Sequence, residues 1–311
     1  MIKSVVSIYD LMGKFPNEDA AREHFEKLRW NGKPTCPNCG QNENQHKQTR
    51  RGKAGYFRCY HCKVVYSVRT GTIFRCSNIP LHKWFNAFYE VYNSRKGISS
   101  IKLSKQLGVT QFSAWFMGHR IREAIADRGL NVLKGEVEAD EAYFGGKEKN
   151  KHAIKKLNLG RGAVGKAAVL GLRERGGNVA GVVLKDTSAK TIQDELNKKI
   201  DKDATLYTDE HGAYTNNKFK HEVVNHGAKQ FVDGKAHTNS IESFWALLKR
   251  GHYGVYHNLS KKHLQRYVDE FAYRLNDGKI DRPTMDALDD FLTKTKGKRL
   301  TYKRLKGTLT E

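Results

Sequence analysis

The chain has no long apolar run; none approaches the roughly 18–20 residues that a helix needs to span a bilayer. Its N-terminus also lacks the basic, apolar and small-residue pattern of a signal peptide. These two absences predict a cytoplasmic protein with no membrane partner. Internal repeats and extended low-complexity segments are missing as well. Acids are scarce: 33 Asp and Glu stand against 56 Lys and Arg, a formal net charge of +23. Such an excess favours a polyanionic partner, most simply nucleic acid. A length of 311 residues is enough for a sizeable core and more than one domain.

Cysteine is sparse but not scattered. Four of the five fall as Cys36-x2-Cys39 and Cys59-x2-Cys62, with 19 residues between the pairs. Each C-x2-C makes a tight knuckle that offers two sulfurs to one tetrahedral ion, so the spacing predicts a structural Zn²⁺ site. Pro37, Asn38 and Gly40 supply turn chemistry at the first knuckle. Disulfides are not expected in a basic cytosolic chain. His61 lies inside the second knuckle, but a complete set of four thiolates needs no substitute. Cys76 is left over as a reduced, structural thiol.

The chain divides by pattern into residues 1–30, 31–77, 78–130, 131–280 and 281–311. In the first, Asn17 is placed to cap a helix that runs to Trp30. In the second, Tyr56–Cys59 and Val64–Val68 are aromatic and β-branched, hence strand-like; short strands pinned by two knuckles describe a zinc ribbon. Arg50, Arg51, Lys53, Arg58 and Lys63 make that ribbon a DNA-contact candidate. The third reads as helices over Leu81–Tyr92, Ile98–Leu107 and Thr110–Ile125. Gly108-Val109 breaks the last two in a helix-turn-helix pattern, whose second helix can enter a major groove. Lys102, Lys105 and Arg120 are expected at phosphates.

From about residue 131 the period changes to that of strands. Glu136–Phe144 alternates, and Ala167–Leu172 with Val179–Leu184 forms a hairpin around Arg175-Gly176-Gly177-Asn178. A helix near Ser188–Lys199, strands at Ala204–Thr208 and Glu222–Asn225, then helices at Asn239–Arg250 and Ser260–Asn276 complete the domain. Three strands in meander followed by helix, strand, helix, strand, helix is the order of an RNase H-like mixed α/β sheet. Lys147–Lys166 holds seven basic residues and one acid, and Lys294–Lys306 holds seven and none. Both are expected as mobile, DNA-facing segments, the second as a basic C-terminal tail.

Three carboxylates stand out. Glu136, Glu138 and Asp140 share one strand face, where a bound dication would relieve their repulsion; the plainer reading is an acidic solvent face. Asp209 ends a strand, where a helix N-cap is the alternative. Glu242 lies three residues after Asn239, a capping-box spacing that explains both without chemistry. On that helix Ile241, Phe244, Trp245 and Leu248 form the apolar stripe, while Glu242 and Lys249 point the same way at its margin.

Cys36-Pro37-Asn38-Cys39, Asp140-Glu141-Ala142-Tyr143-Phe144-Gly145-Gly146, Tyr207-Thr208-Asp209-Glu210-His211 and the Asn239–Arg250 helix together resemble bacterial insertion-sequence transposases of the ISXO2-like family. Those proteins join an N-terminal zinc ribbon to a DDE-type core. The resemblance covers essentially the whole chain. It implies an RNase H-like domain that binds two Mg²⁺ or Mn²⁺ ions at Asp140, Asp209 and Glu242, with Lys249 as the following basic residue and Asn239 as a rival for the third position. It further implies double-stranded DNA partners (element ends and target), Arg250 among the DNA contacts, a homodimer or higher oligomer, and a nucleoid-associated location. An RNase H-like nuclease without strand transfer, and a non-catalytic DNA-binding regulator, are the competing readings.

Overall fold

The computed structural model describes residues 7–50, 52–126, 132–146, 150, 152–157, 163–209, 212–214, 218–223, 239–277 and 282–308. They form two compact units, one from residues 1–125 with 280–311 and one from 126–279.

The first unit opens with α1 (Ile8–Lys14) and α2 (Glu18–Trp30). Asn17 caps α2 as its sequence position requires, accepting from Ala20 N. A three-stranded antiparallel sheet follows, β1 (Gln45–Arg50), β2 (Lys53–Cys59) and β3 (Val65–Ser67), in that spatial order. Its small core is aromatic: Trp30 meets Phe57 and Tyr66 edge-on, at ring-centre distances of 5.2 and 5.8 Å. Helices α3 (Leu81–Asn93), α4 (Ser100–Leu107) and α5 (Gln111–Ile125) come next. Gly108 takes the left-handed conformation that ends α4, with φ 60°, and Thr110 accepts from Ser113 N where α5 begins. The helix-turn-helix geometry therefore forms. Yet α5 is buried from Met117 through Ile125, so only its first turns face outward.

The segment expected as a mobile basic tail is instead folded into this unit as α9 (Thr284–Lys294) and α10 (Tyr302–Lys306). The reason is an apolar stripe threaded between its charges. Ala287, Leu288, Phe291, Leu292, Leu300 and Leu305 are buried, and Phe291 stacks on Phe88 with ring centres 4.2 Å apart. Arg120 is also corrected: it is buried, donates to Leu300 O and lies over Phe116, so it cannot meet a phosphate.

The second unit is built on strands β4 (Glu136–Phe144), β5 (Ala167–Glu174), β6 (Val179–Val183), β7 (Thr205–Thr208) and β8 (Lys220–Val223). Their spatial order is β6-β5-β4-β7-β8. The β6-β5-β4 half is antiparallel, and β7 and β8 join parallel to β4. This is the RNase H-like mixed sheet, with β4 at its centre. On one face α6 (Ala189–Lys199) packs Ile192 and Leu196 against Val137, Ala139, Leu170 and Leu206. On the other, α7 (Asn239–Gly251) and α8 (Leu264–Asn276) bury Ile241, Phe244, Trp245, Leu248, Val268 and Phe271 against Ala142, Phe144 and Val169. Pleat alternation along β4 thus sends odd positions to α6 and even positions, Glu138 and Asp140 among them, to α7. Among the described residues no helix is long and apolar enough to cross a membrane.

Candidate functional site

The four cysteines converge. Their sulfurs all lie within 4.8 Å of one another, with Cys36 to Cys62 and Cys39 to Cys59 each at 3.6 Å. A tetrahedron with metal–sulfur bonds of about 2.3 Å has edges of about 3.8 Å, so the four thiolates fit one zinc ion. Two similar knuckles achieve this. Gly40 N returns to Cys36 O, Cys59 N to Val64 O, and the residues after the second cysteine of each pair, Gly40 and Lys63, have φ 76° and 64°. Amide hydrogen bonds, chiefly from Cys62 N, bring the Cys59 thiol down to about 6. Cys39 accepts from Gln41 N, yet burial and the neighbouring sulfurs hold it up at about 12. Four such sulfurs cannot all ionise side by side without a cation to offset their charge. His61 is not part of the cluster.

In the second unit Asp140 sits on the central strand, facing α7. Its Oδ2 accepts from Trp245 Nε1 at 2.9 Å and its Oδ1 from Glu141 N at 2.8 Å. Burial pushes this carboxyl above its ordinary value; those two bonds pull it down, and the charges of Asp209 and Glu242 add to the rise. The three acids come from three elements: mid-β4, the residue after β7, and the first turn of α7. The same field reaches two tyrosines. Burial first, then Glu141, Asp140 and Asp209, raise both Tyr143 and the fully buried Tyr214, whose hydroxyl donates to Glu141 Oε1 at 2.8 Å. Unlike the thiolates, the three carboxylates do not close into one cluster of ligand atoms; Glu242 is exposed on the rim.

Glu138 does something the sequence did not reveal. Strand alternation puts it with Asp140 on one acidic face, but it is fully buried and bonded on two sides. Oε1 accepts from Arg175 Nε at 3.0 Å, and Oε2 from Ile241 N at 3.0 Å. A carboxylate of the sheet therefore caps the N-terminus of α7, satisfying an amide that has no partner within the helix. Arg173 clamps the same turn, donating to Ser240 O at 2.6 Å and to Ser243 Oγ. Glu242 lies between these anchored residues. Asn239 is the first residue of α7 rather than a cap before it, and its side chain lies outside the described residues. Glu138 on β4, Arg173 on β5 and Arg175 in the turn that follows were the available signal for this clamp.

Lys249 is exposed seven residues along α7 from Glu242, two helical turns away in the same direction. Of the basic residues expected at DNA, Arg50, Lys102, Lys105 and Arg250 are exposed. Arg51, residues 147–149, 151 and 158–162 of the basic Lys147–Lys166 stretch, and the side chain of Lys53 lie outside the described residues.

Residues 132–276 match the family described as ISXO2-like transposase domain, and residues 16–65 match the transposase zinc-ribbon domain. The chain is 29% identical over 279 residues to an uncharacterized protein in transposable element ISH50 of Halobacterium salinarum, covering 84% of this chain and 91% of the relative. Among solved structures it is similar to the Mos1 strand transfer complex, at 13% identity and a TM-score of 0.28 over 67% of this chain and 75% of the other. A pre-cleavage Mos1 transpososome gives 13% identity and a TM-score of 0.27, over 70% and 79% of the two chains.

Proposed function

We propose, for a chain that belongs to the ISXO2-like transposases through both of its matched domains, that it cuts and joins DNA strands at the terminal inverted repeats of an insertion sequence. The observation that carries this reading is the arrangement of three acids about the centre of an RNase H-like sheet: Asp140 on β4, Asp209 just past the neighbouring β7, and Glu242 in the first turn of α7, the helix that meets Asp140 through Trp245. Carboxylate oxygens are hard ligands, suited to Mg²⁺ or Mn²⁺. A pair of such ions supplies activation of the attacking oxygen and neutralisation of the leaving one. Asp140, Asp209 and Glu242 are the residues that would hold them. Asn239 is the rival to Glu242, and Lys249 is placed to hold a phosphate beside the scissile bond.

Strand transfer is the same in-line displacement as hydrolysis, with a DNA 3′-hydroxyl in place of water. The chemistry requires no protein nucleophile. We assign DNA contact to the ribbon at 31–77 and the helical region at 78–130, through Arg50, Lys102 and Lys105, and to Arg250 near the end of α7 in the catalytic unit. Bringing two element ends together calls for at least two copies of the chain.

The test uses purified protein with labelled inverted-repeat DNA and Mg²⁺, beside Asp140→Ala. Joined products that vanish in the variant are expected. Cuts without joining would make the protein a nuclease, and metal-independent binding without cuts would make it a regulator.

A further inference from the structure

We propose that Trp245 is a positioning residue for Asp140 and that Gly171 exists to admit it. The proposal rests on the reading of Asp140 as a metal ligand. Trp245 is on α7, three residues after Glu242, and is 4% exposed. A buried indole N–H needs an acceptor. This one is directed not at a carbonyl but at Asp140 Oδ2, 2.9 Å away.

The ring reaches that far because the position directly across the ladder from Asp140 is Gly171. A Cβ there would sit 2.4 Å from Trp245 Cζ2 and 2.9 Å from Ile241 Cδ1. Glycine weakens a strand interior, and its usual justification there is a close approach by another group. The indole lying over the strand is that group.

The hydrogen bonds also leave a specific remainder. A carboxylate has about four acceptor directions, two on each oxygen. Trp245 takes one on Oδ2 and Glu141 N one on Oδ1, so each oxygen keeps one free. Either oxygen would thus be available to a hard cation. Because Trp245 and Glu242 share one helix, the element that carries the third acid also orients the first.

The experiment measures Mn²⁺ binding to the zinc-loaded full-length protein by the electron paramagnetic resonance of free Mn²⁺. Asp140→Ala should remove a binding site. Trp245→Phe, which keeps a ring and loses the donor, should weaken binding by roughly 10–100-fold, the range for lost partners of metal ligands. Trp245→His, which restores an N–H donor, should recover part of that loss. If Asp140→Ala binds like the unmodified protein, the metal-site reading itself fails. If Asp140→Ala loses the site while Trp245→Phe stays within twofold, or if the Phe and His variants weaken alike, the positioning role is overturned. Should Trp245→Phe fail to fold, benzothienylalanine at 245 replaces only the N–H by sulfur, and the same two outcomes apply to it.

Discussion

Replacing Arg175 by methionine tests whether α7 is held from the sheet. Glu138 is fully buried and its Oε1 lies 3.0 Å from Arg175 Nε, while Oε2 caps Ile241 N. Removing one partner of a buried pair costs about 3–5 kcal/mol, because the remaining charge has been taken out of water for nothing. The guanidinium also lies 4.0 Å from the Tyr207 ring centre, an attraction of about 0.5–1 kcal/mol that methionine's sulfur partly replaces. A further partner, Glu136, is 40% exposed and adds little. The expected loss of about 3–5 kcal/mol should fall on the α7 N-terminus. At 1.4 kcal/mol per factor of ten, its amides should exchange roughly 10²–10⁴ times faster, up to the limit set by global unfolding. Hydrogen–deuterium exchange read by mass spectrometry across α7 measures this, with α3 of the other unit as an unaffected reference. Adding Glu138→Gln removes the stranded charge and should return at least about 1 kcal/mol. A change below threefold at α7, or a double variant as poor as the sum of its singles, would refute the clamp.

Phe291→Ala removes a buried ring stacked on Phe88 and should cost about 3–5 kcal/mol, seen as a lower denaturant midpoint for the first unit; a solvated tail would show no change. Stripping zinc should abolish the near-ultraviolet dichroism of the Trp30–Phe57–Tyr66 cluster, since so small a sheet depends on its metal, and a persistent signal would count against a zinc-held fold. Glu242→Gln should lower strand cutting far more than Asn239→Ala, and the opposite order would move the third ligand to Asn239. Asp140 titrates above its ordinary value in the folded chain, so between the unfolded and folded values the native state binds more protons. Stability of the metal-free second unit should therefore fall as pH rises through that window, while Mn²⁺ affinity grows; melts from pH 4 to 7, with and without Mn²⁺, check both signs.

Local features were legible because their causes are local. The C-x2-C knuckles, the Asn17 cap, the helix near Ser188–Lys199, the Gly108 break and the β5–β6 hairpin each depend on a few adjacent residues, and the fold has them where expected. The order of elements then left an RNase H-like sheet as the reading of residues 131–280. Strand β1 escaped because Gln-His-Lys-Gln-Thr-Arg has no apolar face to alternate; it is an exposed edge strand held by pairing with β2. Helices α9 and α10 escaped because dense basic charge masks the apolar spacing of Leu288, Phe291 and Leu292.

Charge was the least legible property of all. Composition alone required a basic protein, and motif order alone marked Asp140, Asp209 and Glu242 as acids to watch. Whether a given charge meets water, a partner or a ligand depends on what packs over it. Only the tertiary structure decided that Arg120 and Glu138 are internal, that Glu138 caps a helix a hundred residues away, and that an indole over Gly171 holds Asp140. The physical reason is that burial and pairing fix a charge's energy, and both come from residues distant in the chain.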